Sequence, residues 1–218
     1  MKKFLGREIP ETLQEIIDPR NTIVLVQDSQ NDFLHKDGYL RKQGLAQDAS
    51  RLYGPMNVLL KEARNRRIRV LYSSFTNYAD LSNYNNPQIT RGSKQMLEPE
   101  KQWVVDGAWG WQVIDEVKPQ AGERIVKKLR NDAFVGTELD LILKSMGATS
   151  IIHIGISIPN GILTTAWHAF NLGYYPVIPQ DAAGAAIQSD EAEGWKLLKR
   201  CATITTTDEI IKAWKSSR

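Results

Sequence analysis

The apolar residues of this chain change spacing again and again. Short runs that are apolar at nearly every position alternate with stretches in which apolar residues recur three to four apart. The clearest instance is residues 150–174. There Ile151, Ile152, Ile154 and Ile156 lead through the turn Ser157-Ile-Pro-Asn-Gly161 into helical spacing. Similar runs at 22–27, 69–75, 124–127, 175–178 and 202–205 read as strands. Helical spacing falls at 11–18, 48–66, 109–117, 137–145 and 190–200, with a last helix capped by Thr207. Uniformly apolar strands are buried on both faces. Their alternation with helices predicts an α/β fold, three-layer α/β/α, around a six-stranded parallel, doubly wound (Rossmann-like) sheet. Residues 76–103 break the pattern. They are polar, rich in Asn, Ser and Gln, and without a period. A connection of that length reads as a lid, a binding loop or a subunit contact, so a homo-oligomer is expected.

Composition narrows this picture. The 218 residues show no linker and no internal repeat, and read as one domain over 1–218. Cys201 is the single cysteine, so no internal disulfide and no cysteine-based zinc site can form. His35 is the one histidine in the first half, too few for a histidine metal cluster; neither metal nor organic cofactor is expected. The net charge of +3 is small. The basic group Arg64, Arg66, Arg67 and Arg69 sits where a helix ends, as a solvated face, so no nucleic-acid partner is expected. No apolar stretch has membrane length, and the start lacks a leader pattern, which predicts a cytoplasmic protein with a small-molecule substrate and no membrane partner.

Candidate chemistry gathers at one place. In a parallel sheet the carboxyl ends of the strands and the first N–H groups of the following helices face the same crevice. The 157–161 turn is therefore a natural oxyanion-holding site. Asp28, placed directly after a buried run, lies at the same edge, either as a turn cap or as a site residue.

Three stretches together resemble the isochorismatase-like hydrolase superfamily, which includes nicotinamidases, ureidoacrylate and biuret hydrolases and isochorismatases. They are Val26–Phe33 (VQDSQNDF), Lys127–Thr137 (KKLRNDAFVGT), and Gly155–Gly161 (GISIPNG) running into Thr165-Ala166 and Gly173-Tyr174. Phe4-Leu-Gly-Arg7 and Gly107-Ala-Trp-Gly110 are most similar to the ureide-type branch. The resemblance implies strand order 3-2-1-4-5-6, with Asp28 beside the 157–161 turn where the winding reverses. It also implies an aspartate, a lysine and a cysteine acting together. Asp28 takes the acid/base role, Lys128 supplies the cation, and the N–H groups of Ser157 and Gly161 form the oxyanion hole. A non-proline cis peptide would fall at Ile156-Ser157. Lys127 is an alternative to Lys128, and the spacing to Ala133-Phe134 selects the latter. Phe33, Trp109, Phe134 and Asn160 are the candidate pocket residues, with core packing the alternative for the tryptophans. Asp132 either brings a second carboxylate to the pocket or points away. Asp181 reads as a loop cap, His153 and His168 as structural, and Cys201 as a buried thiol.

One residue departs from the pattern. Gly161 stands where the amidase members place the cysteine, and glycine has no nucleophile. Three readings follow. The chain is a hydrolase that needs no thiol, as in enol-ether cleavage, with the glycine leaving room for water or substrate beside Asp28. It is a binding protein that has kept an amidase pocket. Or it is an amide or ureide hydrolase whose cysteine was replaced by design. All three require Asp28 and Lys128 to converge beside position 161.

Overall fold

The computed structural model describes residues 1–185 and 191–216. The chain opens with a small antiparallel hairpin, β1 (Lys2–Phe4) and β2 (Arg7–Ile9), which sequence reading did not foresee. Helix α1 (Leu13–Ile16) is shorter than the expected 11–18, held by a Thr12/Glu15 capping box. Strand β3 (Thr22–Gln27) follows, then the short helices α2 (Asn31–Leu34) and α3 (Tyr39–Lys42) and the longer α4 (Tyr53–Asn65). Next come β4 (Arg69–Phe75), α5 (Asn86–Gln88), β5 (Arg124–Lys128) and α6 (Leu139–Ser145). The second half continues with β6 (Ser150–Ile156), α7 (Leu163–Asn171), β7 (Tyr175–Pro179) and β8 (Ala183–Gly184). It closes with α8 (Glu191–Leu198), β9 (Thr203–Thr205) and α9 (Thr207–Ser216).

The main sheet runs β5-β4-β3-β6-β7-β9, every pairing parallel, which is the expected 3-2-1-4-5-6 order. A seventh strand was not expected. The two-residue β8 pairs with the carboxyl end of β6, setting Ala183 against Gly155 and Gly184 against Ile156. At that point β3 and β6 come very close. A side chain at Gly155 (φ +104°) would lie 2.2 Å from the Gln27 carbonyl oxygen, so the residue must be glycine.

β3 and β6 are buried along their whole length, and alternate residues serve opposite layers. Val24, Val26, Ile152 and Ile154 pack with Leu52, Met56, Leu59 and Leu60 of the α4 side and with Ile210 and Trp214 of α9. Ile23, Leu25 and Ile151 face Leu139, Leu143 and Ala169 on the other side. This is the three-layer arrangement the patterning predicts.

Three boundaries are corrected. Residues 109–117 are not a helix but two single 3-10 turns, Trp109–Trp111 and Asp115–Val117. Between them Val113 bridges to Gln30, and the Ile114 N–H donates to the Ser29 carbonyl at 2.9 Å, so this backbone is committed to the end of β3. The last helix is capped by Thr206 rather than Thr207. Thr206 Oγ1 accepts from the Glu209 N–H and Glu209 accepts from the Thr206 N–H. The predicted 190–200 helix is observed over Glu191–Leu198, and its expected first residue lies outside the described residues.

Candidate active site

Asp28 follows β3 with φ +49°, the left-handed region that non-glycine residues seldom occupy. The turn redirects the chain while its N–H still donates to the Ser73 carbonyl at 2.8 Å. One carboxylate oxygen then accepts from the Phe75 N–H at 2.8 Å, and the other lies 2.8 Å from Lys128 Nζ.

Lys128 ends β5, two strands away, so its side chain must cross β4 to arrive. It does so over the Phe75 ring, with Nζ 4.8 Å from the ring centroid. The side chain is 0% exposed. Its ammonium has three donors, and the carbonyls of Arg130 (3.3 Å) and Asn131 (3.2 Å) take the two that Asp28 does not. Lys127 points elsewhere, pairing with Asp106 at 2.7 Å, so the ambiguity between neighbours resolves to Lys128. Burial pushes the Asp28 carboxyl above the usual carboxylate range, and Lys128 holds part of that rise back.

Opposite stands the turn after β6. The Ile156-Ser157 peptide is cis, as the resemblance implied, and Ile158–Ile162 forms a π-type turn that brings Asn160 and Gly161 over the sheet edge. A cavity of about 110 Å³ lies between, lined by Asp28, Phe33, Phe75, Trp103, Asn131, Ile156, Ser157, Asn160 and Gly161. Asp28, Ser157, Asn160, Gly161 and Phe33 are therefore brought together with Lys128 behind them.

Two predicted wall residues are not there. Trp109 is 47% exposed and packs edge-on against His35, because Asn31 Nδ2 holds its carbonyl at the outer end of the loop. Phe134 is buried among Leu139, Leu143 and Tyr174 on the far side of the sheet. Their place is taken by Trp103 and Phe75, stacked with centroids 5.9 Å apart, with Phe33 edge-on to Trp103 at 5.3 Å. Trp103 is delivered by the end of the long polar segment, so a binding-loop role fits its position. The loop is anchored by the residues after Asp28. Asp32 accepts from the Val104 N–H (2.6 Å) and the Tyr39 N–H (3.1 Å), and Gln30 donates to the carbonyls of Phe75 and Trp111.

A further correction concerns the expected vacancy. The space beside Gly161 is occupied by the side-chain amide of Gln27. A Cβ built on Gly161 would lie 2.2 Å from Gln27 Nε2, 3.2 Å from Asp28 Oδ2 and 3.3 Å from the Asn131 carbonyl oxygen. Open room beside Asp28 is instead on the Trp103 side. Sequence reading passed over Gln27, although a polar residue inside a strand buried on both faces was a visible signal. His153, read from the sequence as structural, is buried beside it with Nε2 2.9 Å from Gln27 Oε1. Burial and the nearby Lys128 push that imidazole down to about 3, so it is neutral, and as the Nε2–H tautomer it donates to Gln27 Oε1.

The remaining candidates lie outside the pocket. Asp132 turns away to His168 Nδ1 at 2.6 Å. Asp181 accepts from the Thr207 N–H at 2.9 Å, the capping role expected. Cys201 is a buried thiol raised to about 11 by burial, packed among Ile158, Ile162 and Leu198. Among the described residues, no group of three or more His, Cys, Asp or Glu is placed to hold a metal ion, and no helix is long and apolar enough to cross a membrane.

A buried carboxylate–ammonium pair at the reversal point of a doubly wound sheet, facing a cis-peptide turn, defines a class of α/β hydrolases. The isochorismatase domain model matches residues 22–209, and the chain belongs to that family. Among curated relatives, a ureidoacrylate amidohydrolase RutB from Rhizobium rhizogenes (strain K84) is 28% identical over 188 residues, covering 81% of this chain and 74% of that protein. A second, from Pseudomonas savastanoi pv. phaseolicola, is 28% identical over 191 residues, covering 81% and 75%. A cysteine hydrolase structure from Pseudomonas syringae pv. phaseolicola 1448A superposes with a TM-score of 0.79 at 23% identity, covering 93% of this chain and 96% of that one. N-carbamoylsarcosine amidase from Thermoplasma acidophilum gives 0.69 at 24%, covering 86% and 97%. These structures share the fold.

Proposed function

We propose that the chain hydrolyses a small, flat, polar molecule without a protein nucleophile, using water at Asp28. The observation that carries this reading is the buried 2.8 Å contact between Asp28 and Lys128, with Asp28 lining a cavity together with Gly161, which has no side chain. Phe75, Trp103 and Phe33 give the substrate an aromatic wall. The N–H groups of Ser157 and Gly161 hold an oxygen that gains negative charge, and Asp28 moves the proton. Its raised proton affinity suits it to start as an acid, and Lys128 stabilises it once the proton has left. Lys128 itself has no donor to spare for substrate. Ureides and amides are the first substrates to try, since the relatives are named as amidohydrolases of that kind; enol ethers are the second, since their cleavage needs no thiol.

The test is a panel of ureidoacrylate-like ureides, primary amides and enol ethers, assayed with the wild type and with Asp28→Asn. Turnover of at least one class, lost in Asp28→Asn and unaffected by iodoacetamide, is the expected result. Turnover abolished by alkylation would remove the thiol-free mechanism. A wild type that binds panel members but turns none over would favour the second reading, a binding protein with the family's pocket. The third reading, a nucleophile replaced by design, is favoured if amide or ureide turnover appears only once a cysteine is placed at 161.

A further inference from the structure

The Gln27 side chain is fully buried and held from behind. Oε1 accepts from His153 Nε2 at 2.9 Å and from Thr165 Oγ1 at 3.2 Å, and Thr165 Oγ1 in turn accepts from the Ala133 N–H at 2.9 Å. With His153 as the Nε2–H tautomer, these bonds set Oε1 toward the core. Nε2 is left toward Asp28 and Gly161, and it has no hydrogen-bond partner. It stands near the Asp28 carboxylate outside good hydrogen-bonding geometry, yet its partial positive charge still favours the ionised form. A side chain at 161 could tolerate Asp28 and the Asn131 carbonyl, each just over 3 Å from its Cβ, with small shifts. The atom at 2.2 Å would have to move, and it is the free end of the Gln27 side chain, so the cost depends on what holds that side chain. Swinging Gln27 aside would strand the His153 N–H and the Thr165 hydroxyl in the core, so the movement is costly.

We propose that Gln27 is a positioning residue that has taken the place of a side chain at 161. It makes glycine obligatory there and turns a neutral N–H edge toward Asp28 where a cysteine-bearing site would carry a thiolate. The inference deepens the thiol-free reading above and rests on it for the role of position 161. Its consequence is that a protein nucleophile cannot be regained by one substitution. Residues 27 and 161 must change together. It also follows that the proton affinity of Asp28 is set jointly. Lys128 from β5 is the charged group acting on it, the Phe75 N–H from β4 and the Gln27 amide from β3 are the neutral donors, and His153 from β6 stands behind Gln27 uncharged.

Two sets of measurements, one on variants at 161 and one on the titration of Asp28, test this, and neither needs a substrate, so failure of the proposed hydrolysis and failure of this inference are distinguishable. The first is a double-mutant cycle in urea unfolding on the full chain, with Gly161→Ala, Gln27→Ala and the pair. Gly161→Ala is expected to lower the unfolding midpoint in the wild-type background and to cost little further in the Gln27→Ala background. Additive losses would overturn the steric claim. In a Cys201→Ala background, Gly161→Cys combined with Gln27→Ala is expected to fold and to give a thiol that iodoacetamide alkylates. Gly161→Cys alone is expected to unfold more readily or react far more slowly. Equal stability and reactivity for the single and paired variants would overturn the claim. The second measurement follows the carboxyl carbon of Asp28 by NMR in protein labelled at aspartate, assigned with Asp28→Asn. Gln27→Leu, similar in size but without the amide, is expected to move the Asp28 titration upward. An unchanged titration in a folded Gln27→Leu protein would remove Gln27 from the control of Asp28.

Discussion

Two cavities lie at opposite edges of the sheet. The one at the amino ends of the strands is the larger, about 310 Å³, and is ringed by Arg20, Arg66, Arg67 and Arg69. Its charges are at the surface: Arg20 pairs with Asp18 and Arg66 with Glu62, both in contact with water. The one at the carboxyl ends is about 110 Å³ and touches a single charge pair that water scarcely reaches. Exposed charges sit in a high dielectric that screens them, whereas a desolvated carboxyl has its affinity reset by whatever surrounds it. Chemical capacity here follows desolvation and directed hydrogen bonds rather than volume.

The contrast can be broken most severely at Asp28. If water is activated there, Asp28→Asn lowers turnover by about 10²–10⁴-fold while ligand binding measured by calorimetry persists. Lys128→Met leaves a buried carboxylate without its partner, and about 3–5 kcal/mol of stability should be lost at neutral pH in urea unfolding. That loss shrinks in acid as Asp28 takes up a proton. His153 sharpens the comparison through pH. Its folded value of about 3 lies below the unfolded value of about 6.5, so the stabilisation is fully present above the unfolded value and lost as pH falls toward 3, by up to about 1.4 kcal/mol per pH unit. Unfolding curves of His153→Gln should lack that component of the slope. Trp103→Ala removes one ring of the stack and should weaken ligand affinity by about 0.5–1.5 kcal/mol with little change in the pH profile. At the opposite edge, Arg67→Ala should change stability by no more than about 0.5 kcal/mol and leave turnover alone.

What the chain disclosed in advance follows from periodicity. β3 and β6 were legible because burial on both faces imposes apolar runs, and a change to helical spacing marks each crossover; the order of the strands came from the family resemblance. Asp28 was legible because a charged residue ending such a run stands out, and Lys128 through its spacing to Ala133-Phe134 in a stretch that carries the family resemblance. Trp103 was not. It sits at the end of a segment with no period, and its position depends on Asp32 and Gln30 gripping that loop from 70 or more residues away in sequence. Trp109, nearer a recognisable motif, drew attention that belonged to Trp103. The apparent vacancy at Gly161 was misread for a related reason: a missing side chain is visible in a sequence, but the neighbour leaning into its space is not. Gln27 and His153 are two polar residues in adjacent buried strands, and that coincidence was the available clue.

The saturation of Lys128 reaches beyond the pocket. An ammonium whose three protons are already spoken for, at zero solvent exposure, has no ion atmosphere of its own. Raising ionic strength from 0.01 M to 1 M, which contracts the Debye length from about 30 Å to about 3 Å, should leave the Asp28–Lys128 partnership untouched. Any salt dependence of the rate would then report on how the incoming molecule is attracted across the surface, making a plain sodium chloride titration a way to tell charged from neutral substrates.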